Sequence, residues 1–277
     1  MTRLRVLLAF ACLAFPSIAA ANSGLDQLSR RDEVLGWEAV GRVEIGNEGF
    51  CTGTLIATDL VLTAAHCLFH RETGQPVDVG TIRFRAGLSG DEVVAESGVL
   101  RAVALPDYDP AGPTNEQNIR NDLALLQLAQ AIPAAVAAPF AVSDAASVTE
   151  VSVVSYAIGR EQALSWQRSC GVIGQRDGLI GFNCDVDFGS SGAPVFDRSG
   201  NLARIVSIIS AGHRDADGVV AFGMALPDGI AELKADLRSG KGVLMSTAPA
   251  TASSAPTIRR IGVASDPSTT GARFIKP

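Results

Sequence analysis

Between residues 37 and 128, apolar and polar positions alternate over short runs broken by glycine, and helical spacing is almost absent. Alternation puts every second side chain on one face of an extended chain, so these runs predict half-buried strands. Strands are expected at 42–45, 54–56, 81–85 and 99–105, a pattern that suits a small closed barrel. Pro106, Pro110 and Gly112-Pro113 interrupt it with a surface loop. An Ala- and Pro-rich stretch at 131–141 predicts a crossing to a second β unit, with strands at 151–156, 169–173, 194–196 and 203–210. The period changes only at 228–237, where Ile230, Leu233 and Leu237 fall on one helical face. Asp228 after Pro227 gives that helix a start and Gly240 a stop. The expected class is therefore all-β, with two antiparallel units and a C-terminal helix.

The two ends read differently from the middle. Arg3 and Arg5 precede an apolar run at 6–15, and Ala19-Ala20-Ala21 offers small residues for cleavage, so residues 1–21 predict an export signal. That run is too short to cross a bilayer, and no membrane anchor is expected once it is removed. Residues 246–256 contain only Ala, Ser, Thr and Pro, which bury too little apolar area to offset chain entropy. The expected organisation is a signal at 1–21, an N-terminal segment at 22–36 open to a propeptide role, a globular domain at 37–240 and a flexible tail at 241–277. Within the domain, the two units run over about 37–130 and 140–240.

Charge and cysteine usage narrow the partners and the compartment. A formal net charge of −6 gives the chain no electrostatic reason to seek nucleic acid or an anionic membrane. Of five cysteines, Cys12 lies in the signal, leaving Cys51, Cys67, Cys170 and Cys184. An even set in an exported chain predicts disulfides, with three pairings open, in a secreted or periplasmic protein. No C-x-x-C spacing supports a zinc site.

Three segments carry chemistry: Thr63-Ala64-Ala65-His66-Cys67, Asn121-Asp122-Leu123-Ala124-Leu125-Leu126 and Gly189-Ser190-Ser191-Gly192-Ala193-Pro194. A serine hydroxyl is a weak nucleophile at neutral pH. It needs an imidazole to take its proton and a carboxylate to hold that imidazole in the right tautomer. Asp107 and Asp109 are rivals to Asp122, but they sit in the Pro-rich loop, whereas Asp122 precedes an apolar run at the edge of a core. His70 and His213 occupy polar or Gly-flanked surroundings and are read as exposed bystanders.

In these segments, in their order His, Asp, Ser, and in Cys51-Thr52-Gly53-Thr54-Leu55-Ile56, the chain resembles the trypsin/chymotrypsin-like serine peptidases. The likeness is greatest to their short bacterial secreted, V8-like branch, and it runs from about Trp37 to Leu237. The resemblance implies two packed six-stranded antiparallel β-barrels and disulfides Cys51–Cys67 and Cys170–Cys184. It implies an endopeptidase working through an acyl-enzyme on polypeptide substrates, as a monomer, with no metal or organic cofactor. His66 would be the base, Asp122 its orienting group and Ser191 the nucleophile, with the N–H groups of Gly189 and Ser191 forming an oxyanion hole. Ser190 competes with Ser191, but the family places the nucleophile before Gly-x-Pro. Ser210-Ala211-Gly212 resembles the edge strand that binds substrate backbone, and Asp185 matches the carboxylate at the base of a trypsin-type pocket, where it would select Arg or Lys.

Two departures stand out. Ser190 replaces the aspartate that pairs with a newly cut N-terminus in activated digestive enzymes, so the chain either folds directly into an active form or uses another device, for which Asp187 is a candidate, and Ile209 replaces a histidine of glutamyl-specific relatives. The alternative function is a trypsin-like fold serving as a binding module with a silent site.

Overall fold

The structure is a computed structural model that describes residues 24–215 and 218–246; the expected export signal and the tail from residue 247 lie outside the described residues. In chain order the strands are β1 (Leu25–Leu28), β2 (Val40–Ile45), β3 (Gly49–Ala57), β4 (Leu60–Thr63), β5 (Ile82–Ala86), β6 (Ala95–Ala104) and β7 (Ala124–Leu128). They continue as β8 (Ala141–Val142), β9 (Glu150–Ser155), β10 (Leu164–Arg176), β11 (Leu179–Phe182), β12 (Pro194–Asp197), β13 (Arg204–Ile208), β14 (Ala211–Asp215), β15 (Gly218–Met224) and β16 (Leu244–Met245). Two helices interrupt them, α1 (Glu116–Arg120) and α2 (Pro227–Ser239).

The first unit is a closed six-stranded antiparallel barrel. Its order is β6-β5-β2-β3-β4-β7, and β7 returns to pair with β6. Strand β5 shows why the sequence alternates: Ile82, Phe84 and Ala86 are buried while Arg83 is exposed. A one-residue slip would turn that set outward, so burial fixes the register.

The second barrel runs β15-β11-β10-β9-β12-β13. It is completed where the Ser210 N–H donates to the Phe222 carbonyl at 2.9 Å and the Ser207 hydroxyl donates to the Met224 carbonyl at 2.8 Å. Strand β14 extends it as a hairpin with β15 and stands at the end of the strand order. The 131–141 stretch crosses between barrels as expected and ends in β8, parallel to β13.

One apolar cluster joins the barrels. Trp37 packs on Trp166 at 5.1 Å and Phe196 at 5.2 Å between ring centroids, and Phe140 lies 4.6 Å from Phe196. The Trp166 indole N–H donates to the Ser152 hydroxyl at 2.6 Å, which satisfies its one polar atom inside that cluster. The disulfides are Cys51–Cys67 and Cys170–Cys184. Each closes a loop of about 15 residues, worth roughly 3 kcal/mol in the chain-entropy account.

Several boundaries differ from the sequence-based expectation. Helix α2 starts at Pro227 with Leu226 as its cap, so Asp228 lies in the first turn and does not cap it. Proline fits there because its missing N–H would have no helical partner. Gly240 ends the helix with φ +82°, as its position predicts. Helix α1 sits in what the sequence offered as loop, and five residues are too few to show a helical period. The expected tail from 241 begins inside the fold, because Leu244 and Met245 pair with Ala102 and Arg101 of β6.

The N-terminal segment is also built in. Strand β1 pairs antiparallel with β10, Leu25 opposite Gln167 through Leu28 opposite Leu164. The Ser89 hydroxyl donates to the Ser29 carbonyl at 2.8 Å, Arg168 pairs with Asp26, and Leu28 and Val34 are buried. A chain beginning at residue 30 leaves the edge of β10 unpaired and uncovers apolar surface. Its thermal midpoint, followed by tryptophan fluorescence, should fall by several degrees; an unchanged midpoint would show that β1 contributes nothing.

Candidate active site

A cleft of about 1160 Å³ runs between the barrels, and His66, Asp122, Ser191, Ser210, Ala211 and Gly212 all line it. The first barrel presents the histidine. Strand β4 ends at Thr63, and the chain turns into a short 3-10 segment, Ala65–Leu68, whose Cys67 is bonded to Cys51 on β3. Asp122 follows α1 directly. Asn115 caps that helix by accepting the Asn118 N–H at 2.9 Å, and the Asp122 N–H bonds back to the Ile119 carbonyl. The fully buried Leu123 then leads into β7.

Three donors converge on the Asp122 carboxylate, which is only 3 % exposed. Oδ1 accepts the backbone N–H of His66 at 2.8 Å. Oδ2 lies 2.7 Å from His66 Nδ1 and accepts the Ser210 hydroxyl at 2.6 Å. With Oδ2 accepting, Nδ1 carries the proton and Nε2 is left as the basic nitrogen. Burial alone lowers the His66 pKa, but the Asp122 charge and its hydrogen bond outweigh burial and the nearby Arg71, so the net shift is upward. Asp107 and Asp109 do not join this group, and Asp109 is occupied locally by the Ala111 N–H.

Ser191 comes from the second barrel, in the loop before β12, and it opens on the cleft while Ser190 is fully buried. The Ser190 hydroxyl sits near Ser155 Oγ at 3.3 Å and accepts from the Asp187 N–H at 3.3 Å, which sets the two adjacent serines apart. Gly192, at φ +76°, donates its N–H to the Ile209 carbonyl at 2.7 Å; a β carbon there would collide with the Thr52 carbonyl and the Thr63 hydroxyl. Only glycine fits that approach.

The loop around Ser191 is fixed by its carbonyls. The Phe188 carbonyl accepts the Ile158 N–H at 2.8 Å, and the Ser190 carbonyl accepts the Ala193 N–H at 2.9 Å. In a trans peptide the carbonyl and the following N–H point in opposite directions, so these bonds also aim the N–H groups of Gly189 and Ser191. Asp187 adds two contacts, accepting the Phe188 N–H on its side chain at 2.8 Å and the Ser190 N–H on its carbonyl at 2.9 Å.

Sequence reasoning missed the residue that ties the barrels together at this point. Thr52, fully buried on β3, donates its N–H to the Ser191 carbonyl and its hydroxyl to the Gly189 carbonyl, both at 2.8 Å. The same hydroxyl accepts the Tyr156 N–H at 3.0 Å. Ser210 lines the cleft as the edge-strand expectation places it, and its hydroxyl has a further role that the sequence did not suggest, donating to Asp122. Tyr108 forms part of the wall near His66, 5.8 Å from Phe69. Burial, with the Asp122 and Asp109 charges, pushes its phenol well above the ordinary range, so it stays neutral.

The remaining expected residues separate. Asp185 is held by Arg214 at 2.7 Å, and the segment that lines the cleft begins at Val186. His70 pairs with Glu48 at 2.7 Å on the rim, and His213 lies on β14. Cys51, His66 and Cys67 place possible ligand atoms within 4.8 Å of one another, but both sulfurs are bonded to each other and offer no thiolate to a metal. Among the described residues, no helix is long and apolar enough to cross a membrane.

Replacing Thr52 by Val keeps the shape and removes the hydroxyl, leaving the Gly189 carbonyl and Tyr156 N–H unpaired in a buried place. Stability should fall by about 1–3 kcal/mol in a denaturant titration. A loss below a few tenths would show that these bonds are not needed.

The comparisons agree with this architecture. Cathepsin G of Mus musculus is 41% identical over 80 residues, 28% of this chain and 25% of that protein. Serine protease 56 of Homo sapiens is 34% identical over 93 residues, 33% of this chain and 14% of that protein. The matched segment thus spans a quarter or less of these curated relatives. Among solved structures, a Glu endopeptidase in complex with MPD aligns with a TM-score of 0.65 at 18% identity, covering 79% of this chain and 98% of that one. The thermostable serine protease AL20 aligns with a TM-score of 0.60 at 20% identity, covering 73% and 98%. Residues 51–203 match the trypsin-like peptidase domain, which takes in β3 through the turn before β13 with His66, Asp122 and Ser191 inside it, and the chain belongs to that family.

Proposed function

We propose that the chain is an exported serine endopeptidase that hydrolyses polypeptides through an acyl-enzyme. The observation that carries this reading is the buried Asp122 carboxylate holding His66 Nδ1 at 2.7 Å on the cleft that Ser191 lines. Ser191 Oγ attacks the substrate carbonyl carbon while its proton passes to His66 Nε2. Asp122 stabilises the imidazolium that forms, and the N–H groups of Gly189 and Ser191 take the oxyanion. His66 then returns the proton to the leaving amine, and water repeats the sequence to release the acid. Strand β14 pairs on one side with β15 and offers its other edge to an extended peptide.

The hydrogen bonds of Asp187, Ser190 and Thr52 support a loop ordered without an N-terminal ammonium, and the pairing of β1 with β10 supports residues 24–36 as part of the fold. The two disulfides fit an oxidising compartment, secreted or periplasmic.

Only a base-activated serine reacts quickly with an organophosphonate or sulfonyl fluoride. Ser191 should be labelled, and Ser191→Ala should abolish labelling. An adduct on Ser190, or none in folded protein, would overturn the assignment and favour a binding module.

The pH profile gives a second test. Only neutral imidazole accepts the serine proton, and Asp122 raises the His66 pKa, so activity is lost as pH falls through that raised value. The acid limb of kcat/KM should have its midpoint above about 6.5, the ordinary histidine value. Asp122→Asn should lower turnover by several orders of magnitude; a midpoint below 6.5 with wild-type protein would contradict the His66–Asp122 coupling.

A further inference from the structure

Beside Ser191 the cleft is walled by Val186, Ile209, Gly212 and Val219. Val186 and Ile209 are almost fully buried. Gly212 measures the gap between two of these walls: a β carbon built on it would stand 2.9 Å from Val186 Cγ2. That is closer than two carbon atoms pack without overlap, so Gly212 and Val186 close the pocket at this level and leave room only for a short side chain above it.

The charge of this region is balanced. Asp185 gives its carboxylate to Arg214 at 2.7 Å, and its N–H donates to Gln167 Oε1 at 2.7 Å. The partly buried Arg160 lies within electrostatic reach of Asp185, Asp187 and Arg214. A substrate ammonium or guanidinium would have to displace Arg214 to reach Asp185. A substrate carboxylate would have to compete with Asp185 for Arg214, and otherwise lies against Val186 and Ile209, where burying a charge without a partner is costly.

Resting on the peptidase reading above, we propose that this pocket selects a small uncharged aliphatic side chain, Ala or Val, on the residue whose carbonyl Ser191 attacks. Val186 sets the size limit, and Arg214 withdraws Asp185 from cation recognition. Preference for Arg or Lys, which the position of Asp185 suggested from sequence, is thereby replaced.

The test is a series of otherwise identical peptides carrying Ala, Val, Phe, Lys, Arg or Glu before the scissile bond. The Ala and Val peptides should exceed the other four by at least tenfold in kcat/KM, the discrimination a pocket of this kind supplies. Val186→Gly should raise turnover of the Phe peptide at least tenfold and leave Lys and Arg behind; Val186→Ala, which keeps a β carbon, should move the same way if the glycine variant does not fold. Arg214→Met should raise turnover of the Lys and Arg peptides by freeing Asp185. Labelling of Ser191 by a small sulfonyl fluoride is measured alongside. Labelled enzyme that prefers Phe, Lys, Arg or Glu overturns the pocket assignment while leaving the peptidase intact, and so does an Arg214→Met variant with no increase for basic peptides. Folded protein that neither labels nor cleaves overturns the peptidase reading itself.

Discussion

The arrangement of the site depends on one buried hydroxyl and the backbone that carries it. His66 and Asp122 belong to one barrel and Ser191 to the other, so their separation is set by how the barrels sit, not by any local turn. Thr52 fixes that relation with its N–H to the Ser191 carbonyl and its hydroxyl between the Gly189 carbonyl and the Tyr156 N–H. Its own carbonyl accepts the Thr63 hydroxyl at 2.9 Å, which ties the strand leading to His66 into the same group. Ser210 closes the other side by reaching from the second barrel to Asp122. A shift of about 1 Å between reacting groups can cost two orders of magnitude in rate, so directional bonds at this seam matter more than their net free energy suggests.

Apolar burial supplies the affinity between barrels and hydrogen bonds supply the geometry. The Trp37, Phe140, Trp166 and Phe196 cluster removes large rings from water and has no strong preference for one sliding position over another. Polar groups buried at the seam must find partners or forfeit about 1–3 kcal/mol each, so they reject misaligned packings. The disulfides act locally within this scheme. Cys51–Cys67 ties the histidine turn to the strand that carries Thr52, and Cys170–Cys184 braces the segment that leads to Ser191.

The two aspartates near the cleft show how surroundings divide one side chain into two roles. Asp122 is surrounded by a backbone N–H, a hydroxyl and an imidazole, so its charge is answered by no permanent cation and remains to favour the protonated ring. Asp185 is paired with Arg214, which stands between its charge and a substrate. The proposed proton transfer at His66 uses the first environment, and the proposed neutral side-chain pocket rests on the second.

By itself, the sequence determined the class of fold, the strands with clean alternation, the end of α2 at Gly240 and the three segments that meet in the cleft. Those features are local: side-chain period, a glycine with no β carbon penalty, and motifs of a few residues. Strands β11, β14 and β15 were not legible, because Gly181, Gly212, Gly218 and Gly223 dilute their alternation. The tertiary structure alone decided that Ser190 is buried and Ser191 open, that Thr52 binds a loop 137 residues away, and that Arg214 claims Asp185 from 29 residues on. No short-range pattern encodes such pairs. They follow from which faces remain after both barrels have closed, since a buried polar atom takes whatever partner the packing brings within reach.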